Sequence, residues 1–208
     1  ASRELIKKTS GCKSLKKIIF ASSYLVYDKE LYNKDVYKIS EDDRIKPRNL
    51  CGVAKLQTEM DLEFLSRHKN IDTVSARIYR VFGPGSRDIV SRWSADMLVN
   101  EDVELFGEGN CFDYIYSKDV ARALCVMAKR DLKRSVYNLG TGEPTSIGKV
   151  FQTISDNITS YGGTVSKTDS VIMNEGSYAD MSLFMDETGW KPEYSLSEAI
   201  KEVVEYNK

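Results

Sequence analysis

Segments with two different hydrophobic periods alternate along this chain of 208 residues. Lys17–Ala21 and Ile71–Tyr79 are short runs rich in apolar and β-branched residues, as is typical of buried parallel strands. Between them, apolar side chains recur at helical spacing over about Leu50–His68, which predicts an amphipathic helix. A strand, a helix and a second strand in this order predict an α/β fold with a mainly parallel sheet.

Shorter segments continue this alternation through the rest of the chain. The sequence predicts helices that begin near Ile89, Lys118 and Ile147, strands at Val103–Phe106, Ser135–Leu139 and about Thr164–Met173, and a last helix that begins with the capping box Ser195–Glu198. Gly83-Pro84-Gly85 breaks the chain and marks the predicted boundary. We expect residues 1–83 to belong to the main sheet domain. Residues 84–208 are expected to form mainly a smaller α/β cap, with about 112–142 returning to the main sheet.

Composition and charge argue against several classes of protein. The net charge is −1 and no basic stripe is present, whereas nucleic-acid binders usually carry an excess of positive charge. No run approaches the roughly 18 apolar residues of a membrane-spanning helix. Cys12, Cys51, Cys111 and Cys125 are far apart and His68 is the only histidine, so no common zinc spacing occurs. We therefore expect no nucleic acid, no membrane and no metal as partners, and a reducing cytoplasm as the location.

Residues that carry chemistry fall in three segments. Phe20–Tyr27 places Ser22 and Ser23 at the carboxyl end of the first strand, where parallel sheets bind ligands. Cys51–Lys55 opens the predicted helix, and its first and last residues share one helical face. Ser75–Gly85 runs from the second strand into the glycine-rich break. Together these segments predict a ligand site at the carboxyl edge of the sheet.

In this order the three segments resemble the extended short-chain dehydrogenase/reductases, in particular the NAD-dependent nucleotide-sugar epimerases and dehydratases. That family has a serine-rich strand end before Val-Tyr, then a Tyr-x-x-x-Lys helix, then a strand ending in Arg-x-x-Asn before Gly-Pro. Three later stretches also resemble family motifs: Phe106–Gly109 with Asp113–Asp119, Val136–Gly142, and Gly189–Pro192. Each motif is weak alone, whereas the ordered set covers nearly the whole chain.

The resemblance implies a Rossmann-like sheet, NAD or NADP as cofactor and a nucleotide sugar as substrate. In such enzymes a tyrosine phenolate is the base, and a lysine holds the nicotinamide ribose and lowers the tyrosine pKa. A serine hydroxyl binds the reacting hydroxyl of the sugar. By this resemblance Ser23, Cys51 and Lys55 stand in the serine, tyrosine and lysine positions, and Ser22, Lys55 and Tyr79 would lie at the cofactor.

Cys51 is the main departure from the family pattern. A thiol has a reference pKa of about 8.5, which a neighbouring ammonium lowers, but it reaches less far than a tyrosine hydroxyl. Three interpretations stay open: a small buried residue in a site that has lost its base, a base or nucleophile, and an engineered replacement or an enzyme with another base. The sequence thus supports two functions, an NAD(P)-dependent enzyme acting on a nucleotide sugar and an inactive member serving as a binding or scaffold protein.

Further departures concern the substrate. Arg80 stands where the family usually has asparagine, and Phe112 stands near a position where an arginine often binds the diphosphate. Guanidinium groups suit phosphate, so Arg80, Arg87 and Arg92 are candidates for the missing charge, with Phe106 and Phe112 near the nucleotide. Arg87 and Arg92 are equally well explained as surface charges.

The chain has no Gly-x-Gly-x-x-Gly before a strand. Gly140-Thr-Gly142 lacks the third glycine and matches a late strand end of the family, so we do not interpret it as the phosphate loop. In complete relatives that loop lies upstream, so we expect this chain to be the C-terminal part of the fold, with the N-terminal half absent or on a separate piece. Relatives often dimerise through two helices, here Leu50–His68 and the segment near Ser2–Lys8, so we expect a homodimer.

Overall fold

Strands and helices alternate along the described part of the chain, which in the computed structural model comprises residues 2–9, 11–32, 35–69, 71–169 and 176–208. The helices are α1 (Ser2–Thr9), α2 (Leu50–Lys69), α3 (Ile89–Leu98), α4 (Ser117–Lys129), α5 (Ile147–Asp156), α6 (Ser182–Thr188) and α7 (Leu196–Asn207). The strands are β1 (Lys17–Ser23), β2 (Val36–Ile39), β3 (Asp72–Ile78), β4 (Arg80–Phe82), β5 (Val103–Phe106), β6 (Cys111–Phe112), β7 (Tyr114–Tyr116), β8 (Val136–Leu139), β9 (Thr145–Ser146), β10 (Val165–Thr168) and β11 (Gly176–Ala179).

Three strands form the main parallel sheet, in the order β1–β3–β8. Lys17 pairs with Asp72 at the start of β1 and β3, and Ser75 pairs with Val136 where β8 joins. Since α2 links β1 to β3 and α4 precedes β8, the connections follow the strand–helix–strand order of the sequence. The predicted α/β class with a Rossmann-like parallel sheet is confirmed, and the first strand extends beyond its predicted end, to Ser23.

Eight shorter strands form three smaller sheets in the described part of the chain, with the orders β2–β11–β6–β9, β4–β7 and β10–β5. In the parallel pair β4–β7, Arg80 lies opposite Tyr114 and Phe82 opposite Tyr116. The sequence predicts β5 and a longer strand that contains the whole of β10, whereas the other six strands have two to four residues and too little pattern to be recognised. Residues 170–173 of the predicted strand at about Thr164–Met173 lie outside the described residues.

Two large hydrophobic clusters and a third, smaller one around Leu62 and Leu65 of α2 fill the interior of the described part of the chain. The first lies on the main sheet and includes Val74 and Tyr137. The second contains Trp93 of α3, Val150 of α5 and Val203 of α7. The division into residues 1–83 and 84–208 stays a prediction.

The segment around α6 packs where the sequence did not place it. Ala179, Phe184 and Trp190 belong to the cluster on the main sheet, and the Phe184 ring lies 5.5 Å from that of Trp190. The sequence predicted a return to this sheet only for about 112–142. The contribution of α6 was missed because its seven residues give too few turns for a clear helical period.

A buried ion pair joins α2 to the central strand. The Arg77 guanidinium on β3 contacts the Glu59 carboxylate on α2, with 2.8 Å between Nη2 and Oε2, and Nε lies 3.2 and 3.3 Å from the two carboxylate oxygens. Both side chains are less than a tenth exposed. The Ser22 hydroxyl of β1 donates to the same carboxylate. Arg77 therefore has a structural role.

The ion pair continues into a hydrogen-bond network across the sheet. Arg77 Nη1 donates to the Tyr27 hydroxyl at 3.0 Å, and that hydroxyl donates to Asn138 Oδ1 of β8 at 2.8 Å. The Asn138 backbone N–H donates to the Glu41 carboxylate at 2.8 Å, and its amide donates to the Ile39 carbonyl of β2 at 2.9 Å. Burial raises the pKa of Tyr27, so the hydroxyl keeps its proton and can donate. One network thus fixes β1, β2, β3, β8 and α2 relative to one another.

Helix α2 has one face on the sheet and one face in solvent. Leu62 and Leu65 are buried, whereas Val53, Met60 and Phe64 are at least half exposed. The apolar residues that predicted this helix therefore do not all face the core. Among the described helices none combines the length and apolar character that crossing a bilayer requires.

We predict that Arg77→Met lowers the free energy of unfolding by about 3–5 kcal/mol, because it leaves the buried Glu59 carboxylate without its partner. Urea denaturation followed by circular dichroism measures this loss. Arg67→Met is the matched control, since Arg67 pairs with Glu63 on the exposed face of α2 and should cost less than about 1 kcal/mol. Equal losses for the two variants would contradict a central role for the buried pair.

Candidate active site

Of the two serines at the carboxyl end of β1, Ser23 lies at the open edge of the sheet and Ser22 is buried. Ser22 is buried and its hydroxyl bonds Glu59, so the structure places it in the internal network rather than at the open edge. Ser23 is half-buried and begins the 3-10 turn Tyr24–Val26, where its Oγ accepts the Leu25 N–H at 3.3 Å. This alternation follows from strand geometry, in which neighbouring side chains point to opposite faces.

The start of α2 packs directly on the turn that follows Ser23. Asn49 caps the helix by accepting the Gly52 N–H at 2.9 Å. Gly52 is required by this approach, because an added Cβ would lie 2.3 Å from the Leu25 carbonyl oxygen. Lys55, one turn further, reaches back and donates to the Ala21 carbonyl at 2.6 Å. The structure therefore brings Lys55 to the strand end that carries Ser23.

Cys51 lies in the first turn of α2 with an exposed, free thiol. The interpretation of Cys51 as a buried residue is wrong, because the start of the helix contacts the turn through Gly52 and leaves position 51 in solvent. Lys55 stands four residues later on the same helical face, but its ammonium bonds the Ala21 carbonyl. Position 51, which the sequence resemblance assigns to the family tyrosine, thus holds a solvent-exposed thiol one turn before Lys55.

Two stacked tyrosines stand beside these residues. The rings of Tyr24 and Tyr79 are 4.9 Å apart and nearly parallel, at 16°. Tyr79 is buried, and its hydroxyl has no hydrogen-bond partner within the described residues. Burial raises the pKa of Tyr79 well above its ordinary value, so this phenol stays protonated near neutral pH. Sequence reasoning missed Tyr24, although an aromatic residue directly after the serine pair was a visible signal.

Arg80 and Phe112 come into direct contact. The guanidinium carbon of Arg80 lies 3.4 Å from the centre of the Phe112 ring, and Phe112 is buried beneath it. Arg80 borders a cavity of about 290 Å³, whose other lining residues are Tyr24, Val81, Phe82, Asp88, Ile89 and Tyr114. Phe112 itself is not among the residues that line this cavity.

The remaining sequence-predicted substrate residues lie apart from this cavity. Phe106 ends β5 and is about half exposed. Arg87 and Arg92 are exposed, and neither lines the cavity that Arg80 borders. The structure therefore brings one of the three candidate arginines to a concave site.

Asp113 occupies the backbone donors of the loop at Gly140–Gly142. This buried carboxylate accepts the Thr141 N–H at 2.7 Å, the Gly142 N–H at 2.9 Å and the Ala179 N–H at 3.1 Å. An anion of a ligand would have to displace Asp113 to reach these donors. The geometry therefore agrees with the interpretation that this loop is not a phosphate loop, and it explains the aspartate, whose role the sequence did not reveal.

Comparison with known proteins agrees with this arrangement. The model of the NAD dependent epimerase/dehydratase family matches residues 3–140. The chain belongs to this family. Family membership accounts for the order in which the serine strand end, the lysine helix and the Gly-Pro break occur.

Several relatives of this epimerase/dehydratase family member are known. The dTDP-4-dehydro-6-deoxyglucose reductase of Escherichia coli is 27% identical over 202 residues, which are 94% of this chain and 61% of the reductase. The chain thus spans about three fifths of the length of that curated relative.

Solved structures of family members superpose on nearly the whole chain. The UDP-glucose 4-epimerase of Thermotoga maritima, solved with UDP-glucose, is 29% identical with a TM-score of 0.83, covering 99% of this chain and 67% of that one. The UDP-glucuronic acid 4-epimerase of Bacillus cereus, solved with UDP-glucuronic acid and NAD, is 25% identical with a TM-score of 0.83, covering 99% and 65%. These likenesses cover both the sheet and the region predicted as the cap.

We predict that Gly140→Ala lowers the free energy of unfolding by about 1–3 kcal/mol, because the new Cβ would lie 2.2 Å from Asp113 Oδ2 and force the carboxylate from its donors. Differential scanning calorimetry should show a lower Tm. Gly109→Ala is the control, since a Cβ there meets no atom within 4 Å. An unchanged Tm for Gly140→Ala would mean that Asp113 does not hold this loop.

Proposed function

We propose that this chain is the catalytic and substrate-binding part of an NAD(P)-dependent epimerase or dehydratase that acts on a nucleotide sugar. The observation that carries the proposal is the hydrogen bond from Lys55 to the Ala21 carbonyl, two residues before Ser23, at the carboxyl end of β1, the edge where parallel sheets bind ligands. Family membership and the nucleotide sugars bound in the related epimerases support the same substrate class.

The residues present fit the nicotinamide end of the cofactor. Lys55 provides an ammonium at the strand end, and Tyr79 provides a buried hydroxyl that has no partner in the described structure. In the proposal, Lys55 holds the ribose, Tyr79 lies against the nicotinamide, and Ser23 hydrogen-bonds the reacting sugar hydroxyl. The nicotinamide, when bound, would serve as the acceptor of a hydride from a carbon of the sugar. Ser22, proposed from the sequence as a cofactor contact, would act through Glu59 and the position of α2.

The proposed substrate side lies on β4 to β7. Arg80 supplies positive charge at the cavity, and Phe106 offers an exposed ring for a nucleotide base. Phe112 supports Arg80 from below, so its contribution to the substrate is indirect. Arg87 and Arg92 stay candidates for contacts at the rim, where their exposed side chains would act over a longer distance.

Cys51 favours a second candidate function, that of an inactive family member serving as a binding or scaffold protein. General-base catalysis needs a group within hydrogen-bond distance of the proton it removes, and a thiol is shorter than a phenol. Lys55 and Ser23 keep positions suited to chemistry, which is why we place the enzyme first.

We predict that Cys51→Tyr in the complete gene product raises kcat for a nucleotide sugar by about 10²–10⁴-fold, the usual contribution of a positioned acid–base group. Incubation with NAD⁺ and UDP- or dTDP-sugars, followed by NMR of the sugar, measures conversion. The double variant Cys51→Tyr/Lys55→Met should lose the increase in kcat, because the ammonium that stabilises the phenolate is then absent. Cys12→Tyr, at another exposed cysteine, is the control and should change nothing.

The outcomes of this assay separate the two functions. Conversion by the wild type or by Cys51→Tyr supports the enzyme. Absence of conversion in both, with retained binding of nucleotide sugar, would favour the binding protein. Activity of the wild type that Cys51→Ser leaves unchanged would assign the proton transfer to another group.

A homodimer and a cytoplasmic location are also part of the proposal. The solvent face of α2 carries Leu50, Val53, Met60 and Phe64, and Leu5 of α1 is likewise exposed. A contiguous apolar face of this kind is typical of a protein interface. The four cysteines are free, which suits a reducing compartment.

We predict that the chain elutes with twice its mass of 23.6 kDa in size-exclusion chromatography with light scattering. Replacing Met60 and Phe64 by lysine should give a monomer, because two charges would be buried at the interface. Val99→Lys, at an exposed apolar residue after α3, should leave the mass unchanged. A monomeric wild type at about 100 μM would contradict the dimer, since stable interfaces of standard size hold at lower concentrations.

A further inference from the structure

Basic side chains gather at the amino edge of the main sheet, which is the edge opposite the candidate active site. Because β1, β3 and β8 are parallel, the residues that precede each of these strands reach this edge. The basic residues come from residues 11–17 before β1, from the end of α2 and from residues 129–134 before β8. We call them the basic edge: Lys13, Lys16, Lys17, Lys69, Lys129, Arg130, Lys133 and Arg134.

Lys17 joins the segments of the basic edge to one another. Its Nζ lies 2.8 Å from Asp72 Oδ2 at the start of β3, and it also donates to the Arg130 carbonyl after α4. The Asp72 backbone N–H donates to the Lys16 carbonyl at 3.1 Å. Segments that are distant in the chain therefore meet at one end of the sheet.

Most of the charge of the basic edge is not neutralised by the chain. Lys17 pairs with Asp72, and Arg134 pairs with Asp42. Of the neighbouring carboxylates, Glu187 accepts the Lys133 backbone N–H at 2.6 Å, and Asp131 is exposed. The other six basic side chains are exposed and form no ion pair within the described residues: Lys13, Lys16, Lys69, Lys129, Arg130 and Lys133.

Helix ends account for only part of this charge. Lys69 and Lys129 stand in the last turns of α2 and α4, where a positive charge is favourable beside the free carbonyls of the helix. Lys13, Lys16 and Lys133 lie outside helices, so this argument does not apply to them.

The basic edge makes the chain electrically asymmetric. The whole sequence has a net charge of −1, so an excess of positive charge at one edge is balanced by negative charge elsewhere. A molecule of this kind is oriented by a charged surface. No continuous basic stripe exists in the sequence, because the fold collects these charges from separate segments. The expectation of no membrane partner rested on that missing stripe and on the lack of a spanning helix, and a peripheral contact needs neither.

We propose that the basic edge docks the protein reversibly on an anionic lipid surface. Clusters of four to eight lysine and arginine residues are attracted to the headgroups of acidic lipids. Loops at one end of a sheet can meet a plane at the same time. Residues 11–17 and 129–134 contain no aromatic side chain, whereas proteins that bind single-stranded nucleic acid use aromatic rings to stack the bases.

This docking leaves the candidate active site open to solvent. Helix α2 has 20 residues and runs from Lys55, near the ligand edge, to Lys69 at the basic edge. A helix of this length spans about 30 Å, so the two edges face in opposite directions and are well separated. The lipid contact therefore does not depend on the proposed function.

Co-sedimentation of the full chain with vesicles tests the docking. The chain should sediment with vesicles of phosphatidylcholine and phosphatidylserine, mixed at about 2:1, and not with phosphatidylcholine alone. Added NaCl should release it, because exposed charges are screened. The triple variant Lys13→Gln/Lys16→Gln/Lys133→Gln should bind at least roughly tenfold more weakly, since each basic side chain near such a surface contributes about fivefold.

The matched control removes the same charge from another part of the surface. Lys149, Lys191 and Lys201 are exposed and lie outside the basic edge. Replacing all three by glutamine should change vesicle binding by less than about twofold, because charges beyond a Debye length from the lipid are screened. Melting curves of both triple variants establish that each is folded, and they should match the wild type because every substituted side chain is exposed.

Three outcomes would overturn the lipid contact. The first is a wild type that does not bind the phosphatidylserine vesicles at low salt. The second is an equal loss of binding for the two triple variants, which would reflect net charge rather than the basic edge. The third is tighter binding to double-stranded RNA than to the vesicles at the same salt, which would assign the edge to nucleic acid. No nucleotide sugar enters the assay, so failure of the proposed function leaves its result unchanged.

Discussion

Arg77 and Glu59 place two opposite charges in the interior between α2 and the central strand, and the site depends on this contact. Removing two ions from water is unfavourable unless further hydrogen bonds satisfy them. Here Ser22 and Tyr27 supply those bonds from β1 and from the turn after it. The same helix carries Lys55, so the register of α2 on the sheet sets where the ammonium meets the strand end. The buried ion pair between Arg77 and Glu59 therefore stabilises the fold and also fixes the position of the candidate active site.

The sequence predicts the parts of the fold whose pattern is long enough to be read. β1, α2, β3 and β8 have a clear period or a run of apolar residues, and their order determines the main sheet. Strands such as β4, β6 and β7 have two or three residues, so their existence depends on partners that are distant in the chain. The same limit applies to α6, whose packing on the main sheet comes from tertiary contacts rather than from local propensity.

The candidate site shows the same division between local and long-range information. Ser23 and Lys55 were recognisable because each stands in a local motif, and the sheet brings the two motifs together. The contact of Arg80 with Phe112 and the facing of Arg80 and Tyr114 depend on strand pairing, which the sequence does not reveal. The separation of Ser22 from Ser23 follows from strand alternation, but which of the two faces the buried carboxylate is decided by the position of α2.

The close approach of Gly52 to the Leu25 carbonyl has an evolutionary consequence. The close packing at Gly52 and the Asn49 cap fix the start of α2. The side chain of Cys51, next to Gly52, is exposed. A change of side chain at position 51 therefore alters reactivity with little effect on folding. The architecture thus tolerates different side chains at position 51, so a single codon change there alters the group that the helix presents without disturbing the packing at Gly52.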